Sequence, residues 1–63
     1  MNAVTYKETR KLIEAAGWIY KNTVGSHDHF IHPDKPGKVT IPNHRGDIPK
    51  GTYNSILKQA GLK

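Results

Sequence analysis

The chain contains no cysteine, so neither a disulfide nor a thiolate–zinc site stabilises its 63 residues. It also has no run of the roughly 20 apolar residues that a membrane-spanning helix needs. The first residues, MNAVTYKETRK, lack the apolar core of a signal peptide. We therefore expect one soluble domain, residues 1–63, in a reducing compartment, the cytoplasm, without membrane association.

Acidic residues are few and unevenly placed. Ten Lys and Arg residues stand against five Asp and Glu residues, which gives a formal net charge of +5. Residues 1–34 are neutral overall, whereas residues 35–63 carry the whole excess, with Asp47 as their single acid. Such a basic half favours a polyanion, above all a nucleic acid, or an acidic protein as partner. Charge that serves only solubility is the alternative.

Two segments have the pattern of amphipathic helices that end at a glycine. A capping box begins at Thr5, and apolar residues then recur every three or four positions as far as AAGW, which predicts a helix over residues 5–16. The same pattern ends in QAGL near the C-terminus, and Pro49 suits the first turn of that second helix. After each glycine, an apolar residue (Trp18 or Leu62) is placed to pack back onto its helix.

Between the helices the hydrophobic period changes to two. Three short runs rich in aromatic and β-branched residues predict strands at Trp18–Lys21, His27–His32 and Lys38–Ile41. The sequence PDKPG, residues 33–37, predicts a turn that joins the last two as an antiparallel hairpin. The expected fold class is α+β, in the order α-β-β-β-α, with a three-stranded antiparallel sheet. Both helices cover its apolar face, and the other face stays open.

The register of the middle strand decides where its histidines lie. If Phe30 points into the core, Asp28 and His32 share its side of the sheet, while His27 and His29 face the open side. The polar ends of the strand would then escape burial at the rim. The alternative register buries His29 instead, and the sequence permits both.

The histidines favour proton transfer or ligand contact over metal binding. An HxHxxH set over residues 27–32 divides between the two faces of a strand, and structural zinc sites usually include cysteine. A histidine that titrates near pH 6.5 suits general acid–base chemistry. His27 directly follows Gly25 and Ser26, where glycine admits a ligand and serine offers a hydroxyl and an amide to an anion. An ordinary Gly-Ser turn beside a surface histidine is the alternative.

The segment VTIPNHRGDIPKGT, residues 39–52, has a structural and a functional interpretation. The structural one is a strand followed by a loop. The functional one is an anion site, because the second helix opens near Lys50 and Thr52, where free amides and the helix dipole attract phosphate. Arg45 lies just upstream.

Five short motifs together resemble the HicA toxins of bacterial toxin–antitoxin systems. They are AAGW at the end of the first helix, GSH at 25–27, HP at 32–33, VTIPNH at 39–44 and PKGTYNSILKQAGL at 49–62. The resemblance covers essentially the whole chain. It implies a double-stranded-RNA-binding-like fold and a ribosome-independent ribonuclease that cleaves mRNA. It also implies a HicB-like antitoxin as partner, and the family's catalytic histidine falls on His27.

The function expected from these observations is a metal-independent endoribonuclease without a cofactor, in which His27 is the general base. The few, scattered acids do not suggest a carboxylate cage for two magnesium ions. The proton for the leaving oxygen would come from His29, from His44 or from water. The alternatives are a non-catalytic basic RNA-binding module and an inactive toxin relic that still binds an antitoxin. The candidate substrate-binding residues are Gly25, Ser26, His29, His44, Arg45, Lys50 and Thr52.

Overall fold

The computed structural model describes residues 4–43 and 47–63, which form helices and short strands. In chain order the elements are β1 (Val4–Thr5), α1 (Tyr6–Ala15), β2 (Ile19–Val24), β3 (His27–His32), β4 (Lys35–Pro42), β5 (Asp47–Ile48) and α2 (Lys50–Gln59). Neither described helix is long and apolar enough to cross a membrane. His44 and Arg45, two of the candidate RNA-binding residues, lie outside the described residues.

The start of α1 follows from its local sequence. The Thr5 hydroxyl accepts a hydrogen bond from the Glu8 amide, and the Glu8 carboxylate accepts one from the Thr5 amide, both at 3.1 Å. The predicted capping box is therefore present. The start of α2 differs, because the helix begins at Lys50 and Pro49 precedes the first turn without any side-chain cap.

The predicted helix ends are confirmed at both glycines. The amide of Trp18 donates to the carbonyl of Ile13 at 3.1 Å, and the amide of Leu62 donates to the carbonyl of Leu57 at 2.8 Å. These are the long hydrogen bonds of Schellman motifs. The first motif also turns the indole of Trp18 into the core beside Ile13.

Strands β2, β3 and β4 form one antiparallel sheet with β3 in the middle. The hairpin turns lie at residues 25–26 and 33–34, so β4 already begins at Lys35, inside the segment predicted as a turn. Likewise β2 continues to Val24, beyond its predicted end at Lys21. Each hairpin contains one register shift. Such bulges interrupt the period of two, which is why the sequence pattern underestimates the lengths of β2 and β4.

The predicted register of β3 is confirmed. Phe30 points toward the helices and is fully buried, whereas Ile19 and Val24 on the opposite face are 56% and 62% exposed. The prediction that the polar ends of the strand escape burial is wrong for Asp28, which is only 2% exposed. Hydrogen-bond donors from neighbouring segments meet its carboxylate there, as described below. The apolar core consists of Ile13, Trp18, Phe30, Val39, Ile41, Ile48, Ile56 and Ala60.

A second, two-stranded sheet is absent from the sequence prediction. β1 pairs antiparallel with β5, with Val4 opposite Ile48. Strands of two residues are too short to show a hydrophobic period. Their pairing places the chain just before α1 beside the chain just before α2, and it adds Ile48 to the core.

Candidate functional site

The Gly25–Ser26 turn fixes the start of β3. It joins Val24 to His27, which are paired across the hairpin. Gly25 has a φ of +62°, a conformation that residues with a Cβ rarely adopt, and a two-residue hairpin often has glycine at this first central position. Among the described residues other than its two chain neighbours, none has an atom within 4 Å of the position a Cβ would occupy there.

His27 and His29 lie on the open face of the sheet. They are two residues apart on β3, so their side chains project to the same side, away from the helices. His27 is exposed and His29 is half-buried. On β4 they stand opposite Pro42 and Thr40, respectively. The structure therefore places these two predicted site residues beside the Gly25–Ser26 turn on one accessible surface.

His32 has a structural role on the opposite face. Its Nδ1 accepts a hydrogen bond from the Asp34 amide at 2.9 Å, and its Nε2 lies 3.1 Å from the carbonyl oxygen of Ala16. Its ring meets the indole of Trp18 edge-on, with 5.2 Å between centroids. Both ring nitrogens of His32 are therefore engaged within the fold. No other described residue is hydrogen-bonded to the ring of His27 or His29.

Asp28 is a residue of this region that the sequence prediction missed. Its carboxylate accepts hydrogen bonds from the hydroxyl of Tyr6, from the hydroxyl of Thr23 at 2.5 Å and from the side chain of Asn43. Burial alone would raise the pKa of Asp28. The hydrogen bonds from Thr23, Tyr6 and Asn43, with the positive charge of Arg10, outweigh burial and hold that pKa below its ordinary value. The only sequence feature that pointed to its burial was the strand alternation, which places Asp28 on the same side of the sheet as the core residue Phe30.

The pKa of the Tyr6 hydroxyl moves in the opposite direction. Burial raises this pKa, and the hydrogen bond to the Asp28 carboxylate raises it further, while Arg10 opposes both effects. Tyr6 therefore remains protonated and keeps donating to Asp28. The neutral hydroxyl of Tyr6 on α1 thus donates a charge-assisted hydrogen bond to the ionised carboxylate of Asp28 on β3.

The chain leaving β4 returns to the Gly25–Ser26 turn. The amide of Asn43 donates to the carbonyl of Ser26 at 2.6 Å. Asn43 is the last described residue before His44 and Arg45. The backbone that leads into these two candidate residues is thus held at the turn that precedes His27.

Lys50 and Thr52 lie in the helix layer, at the first turn of α2. Lys50 is exposed and Thr52 is half-buried, and no acidic residue occupies this first turn. A pocket of about 450 Å³ adjoins it. These two candidates therefore belong to the opposite layer from His27 and His29. The pocket is lined by Val4, Asp47, Ile48, Pro49, Lys50, Tyr53 and Asn54.

Within residues 4–43 and 47–63, no three His, Asp or Glu side chains come together as a possible set of metal ligands. His27 and His29 share a face, but His32 lies on the other one and is engaged by Ala16 and Asp34.

Fold and site together define a small, basic α+β domain with an exposed histidine directly after a Gly-Ser hairpin turn. The family model described as "HicA toxin of bacterial toxin-antitoxin" matches residues 6–62. The chain belongs to the HicA toxin family, and it is accordingly a toxin of a toxin–antitoxin system. A comparison with curated proteins finds no match.

Proposed function

We propose that this toxin is a ribosome-independent, metal-independent endoribonuclease that cleaves mRNA and thereby inhibits translation. The observation that supports the proposal most directly is the position of His27. It is exposed on the open sheet face, next to a turn in which no described residue beyond the chain neighbours lies within 4 Å of a Cβ on Gly25. Pairing with Val24 on one side and Pro42 on the other holds its backbone in place.

The chemistry requires no metal, because RNA carries its own nucleophile. In the proposed reaction His27 removes the proton of a ribose 2′-OH, and the resulting oxygen attacks the adjacent phosphorus. The bond to the 5′ oxygen breaks, and a 2′,3′-cyclic phosphate and a 5′-OH remain. One positioned general base contributes roughly 10²–10⁴-fold to such a rate. His29, on the same face, is the described residue best placed to return a proton to the leaving oxygen.

The developing negative charge on the phosphate needs donors and cations. Gly25 and Ser26 offer backbone amides and a hydroxyl next to His27. His44 and Arg45 follow Asn43, whose amide is bonded to Ser26. Lys50 and Thr52, in the helix layer, are candidates for binding a more distant phosphate of a single-stranded RNA through the first turn of α2.

The proposed protein partner is a HicB-like antitoxin. The open sheet face exposes aliphatic side chains, Ile19, Val24 and Ile31, on the same side as His27. A protein that covered these side chains would also block His27. An mRNA target places the proposed activity in the cytoplasm.

A non-catalytic RNA-binding module, or an inactive relic that binds only its antitoxin, is the second candidate function. One observation favours it: among the described residues, no side chain is hydrogen-bonded to the His27 ring. In many active sites a third group orients the catalytic base. In that case His27 would be a surface contact, and its removal would weaken binding modestly without affecting any cleavage.

The test is an RNA-cleavage assay in excess EDTA with purified wild type and folded His27→Ala, His29→Ala and His44→Ala variants. We expect cleavage by wild type, products ending in 2′,3′-cyclic phosphate, and a loss of at least about 100-fold in His27→Ala. His32→Gln is the matched control, because this histidine lies on the other face. Its folded fraction should cleave normally.

Three results would contradict the proposal. Wild type that does not cut RNA would leave the binding module or the relic as the function. Equal cleavage by His27→Ala would remove this histidine from the chemistry. Products with a 5′-phosphate would rule out attack by the 2′-OH.

A further inference from the structure

Asp28 is a buried carboxylate inside the strand that carries the proposed catalytic histidine. It lies between His27 and His29 in the chain but projects to the opposite face, where it is 2% exposed. Acidic side chains are almost never fully buried unless they are paired. The mechanism proposed above does not use this residue, so its burial needs a different explanation.

The donors to Asp28 come from both sides of the Gly25–Ser26 turn. Thr23 lies on β2, opposite Asp28 in the hairpin, and donates at 2.5 Å. Asn43 lies at the end of β4 and donates from its side chain. The backbone amide of the same Asn43 donates to the carbonyl of Ser26 at 2.6 Å. One carboxylate therefore connects the chain entering the turn with the segment that holds the turn from the other side.

A third donor anchors this arrangement to the helix layer. Tyr6, in the first turn of α1, donates its hydroxyl to Asp28 across 22 residues of sequence. The carboxylate thus has a hydrogen-bond partner in the helix layer. Asp28 therefore links the position of the Gly25–Ser26 turn to that of α1.

We propose that Asp28 is a positioning residue for the ribonuclease reaction, fixing the Gly25–Ser26–His27 turn through Thr23 and Asn43. This inference rests on the proposed function of His27. Asp28 does not touch RNA in this proposal. It keeps His27 within hydrogen-bond reach of the 2′-OH, the condition under which a general base acts.

The ionisation of Asp28 supports this role. An ionised carboxylate accepts hydrogen bonds and donates none, so it matches three converging donors. Burial tends to raise its pKa, but the donors and the charge of Arg10 hold the pKa below its ordinary value. Asp28 is therefore ionised at neutral pH, and the connection is intact where His27 would act.

The experiment compares wild type with Asp28→Asn and Asn43→Ala in two measurements. Asp28→Asn keeps the size of the side chain but replaces one acceptor oxygen with a donor. Asn43→Ala removes one donor from the same contact and leaves the carboxylate. The control is Ile56→Val, which loosens the core on α2 without touching the Asp28 contacts. Steady-state RNA cleavage is corrected for the folded fraction, and amide hydrogen exchange is followed by NMR.

We expect both variants to lower kcat by about 10–100-fold with little change in KM, because the base is misplaced while RNA binding is retained. We also expect loss of exchange protection at the amide of residue 43, with protection retained at Trp18, whose amide is bonded at the far end of the sheet. Ile56→Val should leave kcat per folded molecule unchanged.

Two outcomes would overturn the inference. One is unchanged kcat and unchanged protection at residue 43 in both variants. The other is a kcat loss no larger than that of Ile56→Val. If wild type itself fails to cleave RNA, the proposed function fails, and the exchange measurement alone decides whether Asp28 fixes the turn.

Discussion

The imidazole of His32 occupies the space that a side chain on Gly17 would need. A Cβ at Gly17 would lie 2.5 Å from Nε2 of His32, and the φ of Gly17 is +99°. With Nδ1 accepting from the Asp34 amide, the neutral ring carries its proton on Nε2 and donates it to the carbonyl of Ala16. One histidine thereby connects the end of α1 to the β3–β4 hairpin.

Gly17→Ala should lower the free energy of unfolding, measured by urea denaturation. The left-handed backbone alone costs about 1–2 kcal/mol for a residue with a Cβ. Displacement of the His32 ring adds the loss of its hydrogen bond to Ala16. Gly37→Ala is the matched control, because its φ is +82° but no described residue beyond its chain neighbours has an atom within 4 Å of the new Cβ. Equal losses in the two variants would show that His32 does not restrict position 17.

Arg10 should contribute to stability through aromatic rings more than through its ion pair. Its Cζ lies 5.2 Å from the centroid of Tyr20 and 5.3 Å from that of Phe30, while its Nε pairs with the Glu14 carboxylate at 3.1 Å. We expect Arg10→Ala to cost about 1–2 kcal/mol in the free energy of unfolding. Glu14→Ala should cost less than about 0.5 kcal/mol, since the pair is partly exposed. A larger loss in Glu14→Ala would assign the stabilisation to the ion pair.

Asp28 should make stability depend on pH in the acid range. Burial opposes its ionisation, but hydrogen bonds from Thr23 and Tyr6, among others, hold its pKa below the ordinary value in the folded chain. Because the folded pKa is the lower one, this contribution is full above the unfolded pKa of about 3.9 and is lost as the pH falls through the folded pKa. The stability difference between wild type and Asp28→Asn should therefore be largest near pH 7 and shrink below about pH 4.

Urea denaturation at a series of pH values checks this dependence, with the exposed Asp34 replaced in Asp34→Asn as the control. At neutral pH we expect Asp28→Asn to cost about 1–3 kcal/mol, the usual penalty for buried polar groups left without their partners. A difference that stays constant from pH 7 to pH 2 would show that the charge of Asp28 does not stabilise the fold.

Much of the candidate site could be predicted from short sequence patterns. The Gly-Ser turn located the start of β3, and the period of two placed His27 and His29 on the open face once Phe30 was assigned to the core. The predicted position of both helices on the other face already implied that Lys50 and Thr52 lie in the opposite layer from these histidines.

The sequence by itself determined the helix ends, and it left two registers for the β3 side chains, between which the burial of Phe30 in the structure decided. The helix ends depend on groups a few residues apart: the Thr5–Glu8 capping box and the glycine at position 17. Only the tertiary structure decided that Asp28 is buried and that β1 pairs with β5. A carboxylate leaves water only if enough donors replace it, and the donors of Asp28 come from α1, β2 and the end of β4. They meet only when the chain is folded.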